Sequence, residues 1–589
     1  LGGGIGNVYD SGWLLTFNDA HVSTFSGGLT YDYPIEVPEG RGGLTPDLRL
    51  SYNSRRIDGL LTWIQTEWVG LGWTLDTMEI VRKVTPIWDA SSGSPAWCWE
   101  WWGYENTFTL LYNGTGYKLK PATGNPYGRY HTEDEQFLYI ERRNPLGGDS
   151  TAPNTTKEYW IVRLRDGTEY RLGYNGNAEQ TITTNFYNDN SGHECYWSGG
   201  SPPTSANCYA GHAYRKVAFR WRVDRIRDLR GNTIEFTYYE TPESGNSCGG
   251  YRERSSYLSE VRYNKLSDGT WGSKINFLRA SRSSDGVGDY ISTTDCWLCR
   301  PFYQDDFLQK IRVQNYVDGQ YQILREYRLT YDKRTVPQGE HDNHTRRLRT
   351  ITEYGRGGYG VGPALPTTTF NYTTYANKGW ACSSGCTDWH YESFRYERLT
   401  SIDNGYGGVI TVAYGLPPGE GGDWNHAARN YRVTSKTVSA LAGGSRMSYA
   451  WSEVVADRCY DNNDDGICDS GATGSGGNLI GYKYVTETLK TADGATTVGM
   501  TAHRYHLNFS TADSGRYTGR ELARCGKDPA GNALSYTQTY WTVVPTTLAS
   551  GKKTYFAYPS LVKDYDPQDG PFPGTLLKET KYYYDPAQQ

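Results

Sequence analysis

Apolar and polar positions alternate with a period of two through much of this chain. Leu29, Tyr31 and Tyr33 alternate with Thr30 and Asp32, and Leu48, Leu50 and Tyr52 alternate with Arg49 and Ser51. Each run predicts a strand with one buried face. Pro34 edges the first strand, Ile35 and Val37 resume the alternation as far as Pro38, and Glu39-Gly-Arg-Gly-Gly43 predicts a turn. The stretch therefore reads as a long hairpin. Three more hairpins follow: Thr107 to Leu119 turning at Asn113-Gly114, Trp160 to Leu172 turning at Asp166-Gly167, and Val223 to Tyr238 turning at Gly231-Asn232. No stretch of ten residues carries a clean helical period, so the class is all-β.

A longer recurrence sits on top of the alternation. An aliphatic-x-x-aliphatic step appears at Val223/Ile226, Leu258/Val261, Leu308/Ile311, Leu348/Ile351 and Leu399/Ile402. Most steps precede an alternating strand that ends in tyrosine, at Tyr331, Tyr372 and Tyr414. The uneven spacing is that of a hairpin repeat with loop insertions. Later echoes are Asp528-Pro-Ala-Gly-Asn532 and Leu577 to Tyr582. One hairpin with an apolar face is marginal alone, so the hairpins must stack sideways. The sheet they make must curl or close to protect its edges. The 589 residues exceed one ordinary core of ~250–300 residues, but a repetitive β strip grows by neighbour contacts.

The run from Gly27 to Leu75 contains Tyr33-Pro-Ile-Glu-Val-Pro-Glu-Gly-Arg-Gly-Gly-Leu-Thr-Pro-Asp-Leu-Arg-Leu-Ser-Tyr-Asn-Ser54 and then Gly70-Leu-Gly-Trp-Thr-Leu75. It resembles the opening of the Rhs/YD-repeat superfamily, nearest the SpvB-type N-terminal segment and the B component of Tc toxin complexes. The apolar insert from Leu60 to Val69 departs from that pattern and is expected to pack on a neighbour. Trp160 to Leu172 and Val223 to Tyr238 are similar to the hairpins of the same superfamily. The resemblance implies stacked YD-type hairpins wound into a hollow shell or cocoon. The expected organisation is a Gly-rich segment at 1–26, an SpvB/Rhs-like opening with a Trp-rich loop at 27–150, and hairpin repeats at 151–589. The chain lacks an initiating Met and a signal h-region, and it stops inside a repeat-like strand. It is expected to be part of a longer, processed polypeptide.

Charge and cysteine narrow the partners. Lys+Arg 60 and Asp+Glu 65 are well mixed, so no basic patch marks a nucleic-acid partner. No apolar run spans a membrane. Close cysteine pairs at Cys195/Cys208, Cys296/Cys299, Cys382/Cys386 and Cys459/Cys468 read as loop disulfides of an exported protein. A zinc site built from Cys296, Cys299, Cys382 and Cys386 is the rival reading.

The sharpest chemical motif is Asp461-Asn-Asn-Asp-Asp-Gly-Ile-Cys-Asp469. Asp461, Asn463 and Asp465 supply oxygens at positions 1, 3 and 5 of a calcium loop, Ile467 offers its carbonyl, and Asp469 follows. Position 12 is Ala472, so the bidentate glutamate of an EF-hand is missing and a structural Ca²⁺ is expected. Chelation should then lower the melting temperature; an unchanged melting curve would sink the assignment. The pairs His341/His344 and His503/His506 are poor ligand sets, because i and i+3 on a strand face opposite ways. Sequons stand at Asn113, Asn154, Asn343, Asn371 and Asn508. Trp97, Trp99, Trp101 and Trp102 form a core plug or an interface patch, or else a sugar-stacking platform. No catalytic motif is present, and the Asp-rich self-cleaving core of many Rhs shells is not visible. The expected function is a non-catalytic, secreted or cell-surface β shell, enclosing a C-terminal cargo or toxin or assembling with neighbouring subunits. A glycan-binding adhesin and a carbohydrate-active enzyme are the alternatives.

Overall fold

A computed structural model describes residues 19–58, 65–86, 102–124, 127–143, 151–186, 213–243, 252–283, 285–287, 289, 303–333, 345–357, 360–382, 389–416, 431–440, 443–456, 479–506, 517–568 and 572–584. Strands dominate these residues, and helix is confined among them to the single turns Arg55–Asp58 and Arg41–Gly43. In the opening hairpin Tyr31 faces Tyr52 and Tyr33 faces Leu50. The short strands His21–Val22 and Trp73–Leu75 complete a sheet of four. Ile35 and Val37 fall beyond the strand, which ends at Pro34 because proline has no N–H for the ladder. Ile35 is nonetheless buried, and its N–H donates to the Leu48 carbonyl at 2.9 Å.

The other predicted hairpins form in the expected registers. Asn113 and Gly114 have φ of 49° and 71°, the left-handed pair of a two-residue hairpin turn. Trp160 faces Leu172, and Arg227 faces Thr233. At both Asp228 and Asp528 the carboxylate accepts the N–H and the side-chain amide of the asparagine four residues on, at 2.7–2.8 Å. The same turn is thus built twice, 300 residues apart.

These hairpins join one continuous sheet. Eight strands close a ring: Glu79–Pro86, Trp102–Tyr112, Thr115–Pro121, Gly128–Thr132, Tyr139–Arg143, Tyr159–Arg163, Glu169–Leu172 and Ala213–Arg227. Phe108, Tyr130, Trp160 and Trp221 fill it edge to face. Its ladder between Tyr139–Arg143 and Tyr159–Arg163 runs across residue 150. From Ala213–Arg227 onward the strands pair in succession, each antiparallel to its neighbour, as far as Thr575–Lys581. The far end then returns to the ring, where Tyr555 bridges Asp134. The sheet closes on itself, as edge protection requires.

The recurrent aliphatic step has a structural cause that the alternation hid. On a regular strand, residues i and i+3 face opposite sides. Yet both members of all five steps are buried, none more than 9 % exposed. A β-bulge sits inside each. Tyr331 and Thr330 face Leu348 and Thr350, skipping Arg349; Tyr372 and Asn371 face Leu399 and Ser401, skipping Thr400. The other three skip Asp224, Ser259 and Gln309. The extra residue turns i+3 back to the buried face. It also takes one carbonyl out of the ladder, and an aromatic side chain claims it. Tyr238 donates to the Val223 carbonyl at 2.8 Å, Tyr331 to Leu308 at 2.6 Å, Tyr372 to Leu348 at 2.8 Å and Tyr414 to Leu399 at 3.0 Å. Trp451 does the same for Val433 at 2.8 Å. At four of the five steps a tyrosine is therefore the hydrogen-bond cap of the bulge.

Candidate functional site: the seat of the opening segment

The bulges also turn N–H groups out of the ladder, and the opening segment receives them. Val223 donates to the Met78 carbonyl at 3.0 Å, Leu308 to Trp68 at 2.9 Å and Val433 to Gly27 at 3.0 Å. Leu399 donates to the Tyr52 hydroxyl at 3.0 Å, and Tyr482 to the Phe25 carbonyl at 2.9 Å. Residues 19–58 and 65–78 thus cross successive strands of the strip and meet them at their irregular points. Trp68 and Val69, from the apolar insert, are buried, and Trp68 lies 5.2 Å from Tyr257.

Two ionic locks hold the seat. The Asp58 carboxylate binds Arg398 at 2.7 Å and Arg432 at 3.2 Å, and Arg398 also donates to the Ser54 carbonyl at 2.8 Å. Both guanidiniums are essentially inaccessible. In the second lock Asp289 bridges Arg282 at 3.0 Å and Arg346 at 2.7 Å, all three buried. Arg282 then donates to the carbonyls of Thr66 and Glu67. Between the locks Trp73 is fully buried. Its ring sits 4.8 Å from Phe370 and 5.6 Å from Tyr52, and its Nε1–H donates to the Tyr372 hydroxyl at 2.9 Å.

Elsewhere the titratable groups serve the wall. Burial pushes Glu179 up to about 7 and Glu240 up to about 8, and the neighbouring Glu253 adds to both shifts. Perturbed carboxylates are what an enzyme reading predicts. Here Glu179 is occupied by the N–H groups of Thr155 and Thr156, the Thr156 hydroxyl and the Asn154 amide, so it ties down a loop. Asn154 is buried and its Nδ2 also donates to the Glu158 and Gly173 carbonyls, so this sequon is closed in the folded chain. His503 and His506 separate as expected. His506 lies against Tyr517, 5.2 Å between ring centres. His503 bridges Glu521 at 2.5 Å and Glu487 at 3.1 Å, joining three adjacent strands.

Burial opposes the His503 charge, but the two glutamates outweigh it and hold the ring at about 9. The raised value means that this clamp stabilises fully below pH 6.5 and is lost as pH rises toward 9. Glu179 and Glu240, raised from 4.5, act in the same direction, because the folded state holds their protons longer. The melting temperature is therefore expected to fall between pH 6 and pH 9.5. His503→Gln should remove about 2 kcal/mol of that dependence, after allowance for solvent screening. An equal pH slope in the variant would refute the clamp.

The candidate metal ligands Asp461, Asn463, Asp465, Ile467 and Asp469 lie outside the described residues, as do Cys195, Cys208, Cys296, Cys299, Cys386, Cys459, Cys468, Trp97, Trp99, Trp101, His341 and His344. Cys382 and Trp102 are placed only as strand residues, and Cys525 is a free thiol. Among the described residues no three His, Cys, Asp or Glu side chains are arranged to hold a metal ion. No helix among them is long and apolar enough to cross a membrane. The flanking strand ends carry more information. In an antiparallel strip, connections alternate between two rims. From Ala213–Arg227 to Glu521–Lys527 one rim bears, among the described residues, the tight turns at 228–232, 266–270, 318–319, 404–408, 492–496 and 528–532. Every stretch with a cysteine pair, and the calcium-like stretch, leaves from the other rim. So does the stretch before Trp102, because Glu79–Pro86 runs antiparallel to Ala213–Arg227.

A sheet of bulged hairpins that closes on itself around a clamped opening segment defines a large β-shell protein. Residues 23–87 match the family described as SpvB, Salmonella virulence plasmid 65kDa B protein. The crystal structure of TcdB2-TccC3 matches the fold with a TM-score of 0.58 at 10% identity, over 94% of this chain and 43% of that one. The Photorhabdus luminescens Tc holotoxin pore matches with a TM-score of 0.56 at 10% identity, over 93% and 42%. Among curated proteins nothing matches. The chain thus carries an SpvB-type segment near its start and shares the fold of these large β-shell structures. It spans less than half the length of the shell chains it matches.

Proposed function

We propose that this chain is the wall of a secreted, non-catalytic β shell that encloses a polypeptide cargo carried downstream of it or by a neighbouring subunit. The observation that carries the reading is the closed strip with its opening segment locked across the bulges. Such a wall is built for enclosure, since its ionic and aromatic groups are spent on holding strand to strand. One of the structures it resembles is the Photorhabdus luminescens Tc holotoxin pore. A second feature supports continuation of the wall. Among the described residues the strip runs out at Thr575–Lys581, and there Leu576 is 46% exposed and Leu577 67%. Apolar positions on a last strand suit a further hairpin.

The test is protease protection in the native full-length polypeptide or complex. Enclosed cargo should resist digestion while the shell is folded and become sensitive once the shell is unfolded. Cargo cut at the rate of the isolated cargo, inside an intact shell, would overturn the proposal.

A further inference from the structure

The closed sheet has one joint unlike the rest. The hairpin Ala533–Thr547 and Lys553–Asp566 pairs along its whole length, from Tyr536 with Tyr565 to Thr547 with Lys553. Its neighbours hold only the base. Glu521–Lys527 pairs with Ala533 to Gln538, and Thr575–Lys581 with Leu561 to Asp566. Trp541 adds one bond from its Nε1–H to the Glu521 carbonyl at 2.8 Å, and Tyr582 one to the Ser560 carbonyl at 3.0 Å. Among the described residues, 542–559 therefore form a two-stranded arm with no ladder on either outer edge. A two-stranded hairpin is marginal when isolated.

The tip of the arm is pinned to the ring. Tyr555 donates to the Glu133 carbonyl at 2.9 Å and accepts from the Glu135 N–H at 2.8 Å. Ser550 donates its N–H to Ala122 at 3.1 Å and its hydroxyl to Pro121. Phe137, held with φ of 56°, completes the clasp. Its ring meets Phe556 at 4.7 Å and Tyr584 at 6.0 Å, with the Arg165 guanidinium 4.7 Å above it. The arm buries little else: in this hairpin only Thr554, Tyr555 and Phe556's neighbours at the seam approach full burial, and Ala533–Thr547 is half-exposed or exposed throughout.

We propose that this joint is the shell's flap: residues 542–559 swing away from 121–137 while the rest of the sheet stays paired. Local openings of this kind occur where few apolar contacts are buried and backbone bonds are exposed. Parting the seam breaks the Tyr555 bridge, the Ser550 bonds and the aromatic clasp, contacts at a few points, whereas parting any neighbouring pair of long strands breaks a whole ladder. The inference extends the shell reading by saying where the wall opens, and its test needs no cargo.

Hydrogen exchange on the intact protein reads the joint directly. The amides of Glu135 and Tyr555 should exchange at least about a hundredfold faster than ladder amides such as those of Ile402 and Ile410. Phe137→Ala should speed both, and speed tryptic cleavage at Lys552 and Lys553 about tenfold, with the melting temperature of the shell unchanged. A second variant, Ala122→Cys with Ser550→Cys, should suppress both once oxidised. Protection of Tyr555 equal to that of the ladder would overturn the proposal. So would cleavage in the cross-linked variant as fast as in the parent chain. Failure of the protease-protection test on cargo would leave these readouts untouched, so the two ideas fall separately.

Discussion

Asp58→Ala is expected to destabilise the shell by about 3–5 kcal/mol, the effect of leaving buried charges without their partner. Arg398 and Arg432 both point at this carboxylate from strands that are far apart in sequence, at 2.7 and 3.2 Å. Both guanidiniums are nearly inaccessible, so water cannot replace the lost carboxylate. The loss should also be local in a diagnostic way. The N–H groups of Leu399, Val433 and Tyr482 are bonded to the opening segment rather than to a ladder. Their amide exchange should quicken together in the variant, while Ile410 and Val412, paired inside the strip, keep their protection. Asp58→Asn retains an acceptor oxygen and should do less harm. A variant that melts with the parent chain, its three amides still protected, would show that the lock does not hold the seat.

Trp73→Ala is the other large effect. The indole is fully buried and meets Tyr31, Tyr52 and Phe370. Truncating a buried tryptophan removes its transfer energy and leaves a cavity, together about 3–5 kcal/mol. One consequence is specific to this site. The Nε1–H donates to the Tyr372 hydroxyl, which in turn donates to the Leu348 carbonyl at the bulge. Trp73→Phe keeps one six-membered ring and loses the pyrrole edge with its donor, so about 2–3 kcal/mol is expected. Tyr372→Phe should cost about 1 kcal/mol alone, and little more when added to Trp73→Phe. Full additivity of the two substitutions, measured by denaturant unfolding, would mean that indole, hydroxyl and carbonyl do not act as one chain.

The hairpins were legible in the amino-acid sequence because turn chemistry is local. Asn113-Gly114, Asp166-Gly167 and Gly231-Asn232 each set a turn within a few residues, and the period of two then set the faces on either side. The opening segment was legible as well, since its glycines, prolines and tryptophan stand at characteristic spacings. The aliphatic-x-x-aliphatic step was visible as a pattern without its cause. Taken as regular strand it puts its two members on opposite faces; only the partner strand, which skips one residue, shows the bulge that returns both to the core. The same rule applied to His503 and His506 holds, because the residue skipped beside them, Leu522, lies on the partner strand and leaves their own strand without an extra residue.

What only the tertiary structure decided is everything that joins residues far apart in the chain. No local signal pairs Asp58 with Arg398 and Arg432, or Phe25 with Tyr482. These contacts arise when the strip curls and the opening segment crosses it, and an arginine that will be buried reads the same as one that stays in water. The division of the two rims is likewise a matter of parity along an antiparallel strip: tight turns fall to one side and the cysteine-bearing connections to the other. The sequence by itself determined the repeating unit, its turns and the SpvB-type opening segment, since those depend on neighbours along the chain. The closure, the locks and the hinged arm depend on long-range pairing, where the free energy of a contact is set by the strand that arrives to meet it.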